Sequence, residues 1–444
     1  MKKPDAPKTS GNQLSATPSP SAAVRALAFD IPAADRHHVG EVRKAEMTHF
    51  KVASSETARD INRRIVLNLV RKHQPISRAS LARHSGMQRS TVSAITEQLI
   101  SERWVVEGAT GHLPRGRKPT FLHLNSDRAG IIGVDIHPEA TTLAVSSMDM
   151  RILAHESMAT GREPKDFIER LGRRIMDLMR AHPKSFYEGI GISVPGRIDL
   201  SSHRLTFAPN LEWNDVDIKT PLERITGLPV ELENAANACS LAELWSGRHG
   251  ESVSNLVAIT VSEGIGVGMI MNGQLVRGSQ GVTGEFGHVS LGTSGPICRC
   301  GNRGCWEMMA SNAAAVRYYA DFSTTRKGEV GTKSNMSPVP FSDLVRLVQQ
   351  GDLKACKAVD QMAHHLGVGL AILVTGLAPD VLVVIGDVTR IWNRVGPIVA
   401  DVIKGRTFTH ASTRIVPTDP EAWPRLRGAI ALIAQQHFTA PQMI

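Results

Sequence analysis

Apolar side chains recur along the chain in two rhythms, a helical one of about 3.6 residues and short β-branched runs, and their order predicts the architecture. Asp60 can cap a helix whose apolar stripe is Ile61, Ile65, Leu69 and Val70. A second, short helix starts after Ser77 and carries Leu81 and Ala82. A turn follows at His84-Ser85-Gly86, and a third helix runs from about Arg89 to Arg103 with Val92, Ile95, Leu99 and Ile100 facing inward. Two short strands, Trp104 to Glu107 and Thr120 to Leu124, flank a Gly- and Pro-rich loop from Gly108 to Pro119. This is the order of a winged helix-turn-helix.

Beyond residue 128 the rhythm changes to strands alternating with helices. Ile131 to Ile136 and Thr142 to Ser146 read as strands, Pro164 to Arg180 as an amphipathic helix, Ile190 to Val194 as a strand and Asn237 to Trp245 as a helix. Asn255 to Val261 and Gly266 to Met271 read as a strand pair, Ala358 to Gly376 as a long helix, and Asp380 to Ile385 as a buried strand. The alternation predicts an α/β architecture. A strand pair followed by a helix and more strands occurs twice, which points to two similar lobes although the halves show no sequence repeat. The expected division is a tail over 1–56 with no assigned structure, a winged helix-turn-helix over 57–125, and a two-lobed α/β region over 128–440.

Composition sharpens this picture at two places. The 444 residues are 42% apolar and 21% charged, which is ordinary globular usage. The longest apolar stretch, Leu366 to Pro379, is interrupted by glycines and falls short of the roughly 20 residues of a membrane span, and no secretory signal is legible, so a cytoplasmic protein is expected. The net charge of +9 is unevenly distributed. Residues 57–128 carry thirteen basic and five acidic side chains, the tail eight and six, and the remainder thirty and thirty-one. The surplus sits on the helix-turn-helix segment and implies a nucleic-acid partner there.

On that segment, Gln88, Arg89, Ser90, Thr91, Ser93 and Thr96 lie at the start of the third helix, with Ser77 and Arg78 ahead of the second, where short polar and basic groups reach base edges and phosphates. Arg115, Arg117 and Lys118 on the wing can follow an adjacent minor groove. A second constellation is Gly284-Glu285-Phe286-Gly287-His288 followed by Cys298, Cys300 and Cys305. Three thiolates and an imidazole complete a tetrahedral, closed zinc site of structural type. A third, Glu233-Asn234-Ala235-Ala236-Asn237, stands at a strand-to-helix junction and reads, taken alone, as a helix cap.

Together these residues resemble the ROK family, named for repressors, open reading frames and kinases, and specifically its regulator branch. The resemblance rests on Gly264-Ile265-Gly266-x-Gly268, Gly278, Gly284-Glu285-x-Gly287-His288 and the C-x-C-G-x-x-G-C-x-E run ending at Glu307. Also similar are Gly191 to Gly196, Ala208-Pro209-Asn210-Leu211-x-Trp213, and in the head Ser77-Arg78-Ala79-x-Leu81-Ala82 with Gly116-Arg117-Lys118-Pro119. It implies the two-lobed actin-like ATPase fold, with sugar contacts at Asn210, Asn234, Glu285, His288 and Glu307, and a structural zinc on His288, Cys298, Cys300 and Cys305.

Three departures separate the chain from the family's kinases. The kinases have an Asp after the Glu-Asn pair to take the proton from a sugar hydroxyl, and this chain has Ala235. Their first strand ends in a Gly-rich phosphate turn, whereas here Asp135 precedes Ile136-His137-Pro138-Glu139. A glycine pair is expected after the last buried strand, but Asp387 follows Gly386. The sequence therefore predicts no catalytic residues. It predicts a sugar-responsive regulator, a repressor of carbohydrate uptake or catabolism genes, that binds operator DNA and a small sugar as a homodimer or homotetramer. The alternatives are an ATP-dependent sugar kinase with a DNA-binding domain, and a DNA-binding protein whose cleft is only scaffold.

Overall fold

The computed structural model describes residues 55–110, 119–184, 186–246, 249, 253–278, 281, 283–324, 339–407 and 412–438. The expected tail and the wing tip with Arg115, Arg117 and Lys118 lie outside the described residues. Three helices open the described chain: α1 (Ser55–His73), α2 (Arg78–Ser85) and α3 (Arg89–Ser101). With them runs an antiparallel sheet ordered β1-β3-β2, from β1 (Ile76–Ser77), β2 (Val105–Thr110) and β3 (Thr120–Leu124). Val66, Leu67, Val70, Leu81, Val92, Leu99 and Leu122 are fully buried between these layers.

Three expectations change here. α1 begins at Ser55, so Asp60 sits inside the helix and pairs with Arg64, four residues on, at 2.9 Å rather than capping. The buried stripe is shifted by one residue: Val66, Leu67 and Val70 are buried and Ile65 is exposed. Thr96 is also buried, on the inner face of α3 with Val92 and Leu99, so it is withdrawn from the exposed group at the helix start.

The first lobe is built on β4 (Gly130–Asp135), β5 (Ala140–Ser147), β6 (Ile152–Ala159), β7 (Tyr187–Val194) and β11 (Val230–Asn234), with α4 (Pro164–Ala181) and α5 (Lys219–Thr226) between them and α6 (Ala235–Ser246) following. A small sheet of β8 (Arg197–Ile198), β9 (Leu205–Ala208) and β10 (Trp213–Val216) leaves the end of β7. The second lobe contains β12 (Leu256–Val261), β13 (Ile265–Met271), β14 (Gln274–Leu275), β15 (Val381–Ile385) and β16 (Arg414–Pro417). Its helices are α7 (Trp306–Ala310), α8 (Asn312–Thr324), α9 (Phe341–Gln349), α10 (Leu353–Leu377) and α11 (Trp392–Arg406); α12 (Pro424–Phe438) ends the described chain.

The two five-stranded sheets share one plan. Their orders are β11-β7-β4-β5-β6 and, read from the same side of the plan, β16-β15-β12-β13-β14. Each opens with an antiparallel meander, β4-β5-β6 and β12-β13-β14, and adds its last two strands in parallel. The expected pair of similar lobes is therefore present as topology without sequence repetition. The apolar stretch from Leu366 belongs to α10, whose Leu366, Leu370, Leu373 and Val374 lie in the core of the second lobe.

α12 returns from the second lobe to pack on β4, β7 and α6. Its approach to α6 is close enough that a Cβ at Gly428 would stand 1.9 Å from the Ala238 carbonyl oxygen. Glycine is required there because the two helix backbones touch. Both helices begin beside the cleft between the lobes and run the same way.

Candidate functional site

The metal-ligand set is assembled by the segment between β14 and α7. Glu285–His288 form one 3-10 turn. The chain then doubles back through bridges of Ser290 with Cys305 and Ile297 with Arg303. As a result one ligand atom each from His288, Cys298, Cys300 and Cys305 lie within 4.8 Å of one another. Nδ1 of His288 is the nitrogen turned to the thiols, 3.5 Å from Cys298 Sγ, and the Cys300 and Cys305 sulfurs are 3.5 Å apart. Burial pushes the Cys298 thiol up, with the Glu307 carboxylate adding to it, while the Asn302 amide draws Cys300 down. Three thiols and an imidazole this close form a donor set that fits a tetrahedral divalent metal, which would hold the sulfurs as thiolates. Trp306, the next residue after Cys305, ties the loop to α10 by donating from Nε1 to the His365 carbonyl at 3.0 Å.

The other face of this loop meets the expected sugar residues. Nε2 of His288 faces Glu285 Oε2 at 3.7 Å, and Glu307 approaches Nδ1 at 3.4 Å. Glu285 also faces Arg197 at 3.8 Å, and next to Arg197 the Gly196 carbonyl accepts from Asn234 Nδ2 at 2.7 Å. Asn234, Glu285, His288 and Glu307 are thus linked around one cleft by short steps. Asn210 is exposed on the turn between β9 and β10, in the small sheet that carries Arg197. Both ends of the Asn234 amide are already engaged, since its Oδ1 accepts from the Ala236 amide at 2.8 Å. The residue caps α6 and positions Ala235 at the helix's first turn. Behind it, Glu233 accepts from the Asn234 amide at 3.0 Å, from Asn237 Nδ2 at 2.9 Å and from Arg277 Nε at 2.8 Å.

On the opposite hairpin, Ile136-His137-Pro138-Glu139 makes the turn between β4 and β5, with Glu139 exposed. Arg425, on the first turn of α12, reaches into this turn. Its Nη2 donates to the Ile136 carbonyl at 2.8 Å, and Nε stands 3.0 Å from Asp135 Oδ1, an ion pair by distance whose angle lies outside hydrogen-bond geometry. After β15, Asp387 is exposed and pairs with Arg390 at 3.1 Å.

In the head, Gln88, Arg89, Ser90 and Thr91 are exposed at the start of α3 and Ser93 is half-buried. Ser77 is almost wholly buried and serves as the cap of α2, accepting from the Ser80 amide at 3.1 Å. Arg78 is bound on the protein itself, to Glu97 at 2.6 Å and Glu107 at 2.8 Å. The structure therefore groups Gln88 to Thr91 on one surface and gives Ser77 and Arg78 structural partners.

Comparison with known proteins decides the kinship. The family model described as ROK family matches residues 131–436. The chain belongs to the ROK family. Curated relatives include the xylose repressor of Bacillus spizizenii, 30% identical over 336 residues, 75% of this chain and 83% of that one. The xylose repressor of Caldicellulosiruptor bescii is 31% identical over 340 residues, 74% and 83% of the two chains. Among solved structures, a ROK family transcriptional regulator, a homologue of the E. coli Mlc protein, superposes with a TM-score of 0.73 at 22% identity, covering 86% of this chain and 98% of that one. That likeness shows the α/β fold of the family. A ROK glucokinase from Streptomyces griseus, solved with glucose and AMPPNP, superposes with a TM-score of 0.60 at 27% identity over 68% of this chain and 99% of that one.

Against this ROK background, sequence reading missed Arg197, Glu233, Arg277 and Arg425 as parts of the site. Glu233 lay within the helix-cap motif, and its burial at 4% exposure was the missing signal. The three arginines have partners 44 to 289 residues away or on another loop, so no local pattern marks them. Among the described residues, no helix is long and apolar enough to cross a membrane.

Proposed function

We propose that this chain is a transcriptional repressor that holds operator DNA through its helix-turn-helix head. A sugar of the xylose class bound between the lobes releases it, and no phosphoryl transfer occurs. The observation that carries the reading is a pairing within one chain. An exposed Gln88-Arg89-Ser90-Thr91 helix start is joined to a ROK cleft whose proton-accepting position is Ala235. A methyl group accepts no proton. The turn where the kinases cradle phosphate is likewise Ile136-His137-Pro138-Glu139 here, without glycines and with an exposed carboxylate, which is unfavourable for ATP. The relatives that align here over 83% of their own length are named xylose repressors.

In this reading Gln88, Arg89, Ser90, Thr91 and Ser93 meet the major groove while Arg115, Arg117 and Lys118 meet phosphates and the minor groove. Heads of a homodimer or homotetramer read half-sites related by two-fold symmetry. Zinc on His288, Cys298, Cys300 and Cys305 supplies a closed structural crosslink. His288 then keeps Nε2 for the sugar side, with Glu285 and Glu307 fixed beside it and Asn234 holding the start of α6. Sugar binding favours one arrangement of the lobes and thereby one spacing of the heads, and by linkage DNA-bound protein binds sugar more weakly.

The test uses fluorescence anisotropy of the full chain on a duplex from its own upstream region, with and without D-xylose, alongside a coupled ADP-release assay with xylose and glucose. Xylose-dependent release without turnover is expected. ADP release above background overturns the non-enzymatic part, and DNA affinity indifferent to every sugar tried overturns the effector part.

A further inference from the structure

α6 and α12 have one end each at the cleft and the other at the head. α6 starts at Ala235, capped by Asn234, and has Trp245 in its last turn; α12 has Arg425 on Asp135 in its first turn and ends with Phe438. Twelve and fifteen helical residues span about 18 and 22 Å at 1.5 Å per residue. Packed backbone to backbone at Gly428 and Ala238, they form a stiff pair.

At the far end lies a cluster that neither DNA contact nor sugar contact explains. The Trp245 and Phe438 rings pack edge to face at 5.7 Å, and Trp104, which follows α3, meets Phe438 at 6.2 Å and His437 at 5.0 Å. Arg71 of α1 lays its guanidinium 4.2 Å over the Trp245 ring and 5.6 Å from Phe438. Arg128, in the connection from the head to β4, stacks 3.7 Å over Trp104 and pairs with Glu188, which also holds His437 at 3.1 Å. Arg64 of α1 donates to the Gln436 carbonyl at 2.7 Å, where α12 leaves a C-terminal acceptor. Arg71 is buried enough that its guanidinium is drawn down to about 10, and among the described residues it pairs with no carboxylate. A charge held on aromatic faces in this way is sensitive to ring position, because the attraction depends on standing over the ring.

We infer that Trp245 and Phe438 form the seat on which the DNA-binding head docks, with Arg71 and Trp104 as the head's contacts, and that the parallel α6 and α12 carry the state of the cleft to this seat. The coupling half of this inference rests on the effector reading above; the docking half does not. A sugar that shifts the first turn of α6 moves Trp245 at its end, and the head loses or gains its cation–aromatic contacts as a unit. The two-state element required for coupling is the docked or undocked head.

Hydrogen exchange on the full chain, read by mass spectrometry, tests both halves. The variants are Phe438→Ala on the seat and Arg71→Met on the head, the second keeping the apolar stem while removing the charge. Without ligand, both variants are expected to lose at least about tenfold of the protection over α1 while β4, β7 and β12 exchange as in the parent. If Phe438→Ala also exposes those strands, Arg71→Met decides the matter. Unchanged protection of α1 in the variant with intact strands overturns the seat. With D-xylose, the parent is expected to change exchange at β11 with the first turn of α6 and at α1 together, and the variants only at the former. A parent that responds at β11 and α6 but not at α1, or a variant that keeps the α1 response, overturns the coupling. A parent that responds nowhere overturns the xylose reading itself, while the ligand-free comparison still decides the seat.

Discussion

Arg277, from the loop after β14 in the second lobe, donates through Nε to Oε2 of Glu233 on β11 of the first lobe at 2.8 Å. The carboxylate is buried at 6% side-chain exposure and the guanidinium is one-third exposed. The pair joins the two lobes next to the cap of α6, Glu233 being the residue before Asn234.

Removing either partner should therefore be costly in unequal measure. Arg277→Ala leaves a buried carboxylate with only amide donors and is expected to destabilise by about 2–4 kcal/mol. Glu233→Gln leaves a partly solvated cation and is expected to lose about 1–2 kcal/mol after allowance for its exposure. Glu233→Gln combined with Arg277→Ala should cost less than the sum of the single changes. Urea unfolding of the four proteins measures the cycle, and additivity within error would remove the pair from the energetics of the cleft.

The sulfur and imidazole cluster predicts one equivalent of zinc per chain, measured by elemental analysis of protein purified without added metal. Chelation is expected to lower the melting temperature and weaken xylose binding in calorimetry, because the loop that carries Glu285 and Glu307 loses its crosslink. Cys305→Ser should reproduce both effects. Full thiol reactivity of the purified protein with no bound metal would refute the assignment.

At the seat, burial works against the Glu188 carboxylate, but His437 and Arg128 outweigh it and hold Glu188 below the ordinary glutamate value of 4.5. A carboxylate depressed in the folded state contributes stability that is complete above 4.5 and is lost as pH falls through its folded value. Acidification below about 4.5 is thus expected to loosen the head, and Glu188→Gln should flatten that acid limb. Trp fluorescence followed between pH 6 and pH 3 reads it; an identical acid limb in the variant would exclude Glu188 as its source.

For the DNA face, Arg89→Ala is expected to change the preferred sequence by about 1–3 kcal/mol at one base pair. Arg117→Ala should weaken binding to all duplexes and lower the salt slope by about 1. Binding isotherms at several salt concentrations on matched and shuffled duplexes separate the two. An unaltered slope for Arg117→Ala would exclude the wing from phosphate contact.

What could be read in advance depended on whether the informative residues are neighbours in sequence. His288, Cys298, Cys300 and Cys305 fall within one short segment, so their spacing alone points to the donor cluster they form, and the basic surplus of the head is a local sum. The start of α1 was misplaced because Asp60 has the chemistry of a cap yet finds Arg64 one turn later. β6 was passed over although it alternates half-buried and exposed positions along its length, since its polar residues dilute the apolar signal. Arg425 and Arg277 acquire their roles only through partners brought together by the closure of both sheets.

Ala235 at the proton-accepting position bears on how such a molecule keeps time. In the proposed regulator no phosphoryl group is transferred, so there is no spent state to be recharged. Its state is then an equilibrium property, fixed by the concentrations of sugar and DNA at that moment. Such a device carries no memory of earlier exposure: it resets as fast as the ligand leaves, and its sharpness is bounded by the number of binding sites in the assembly.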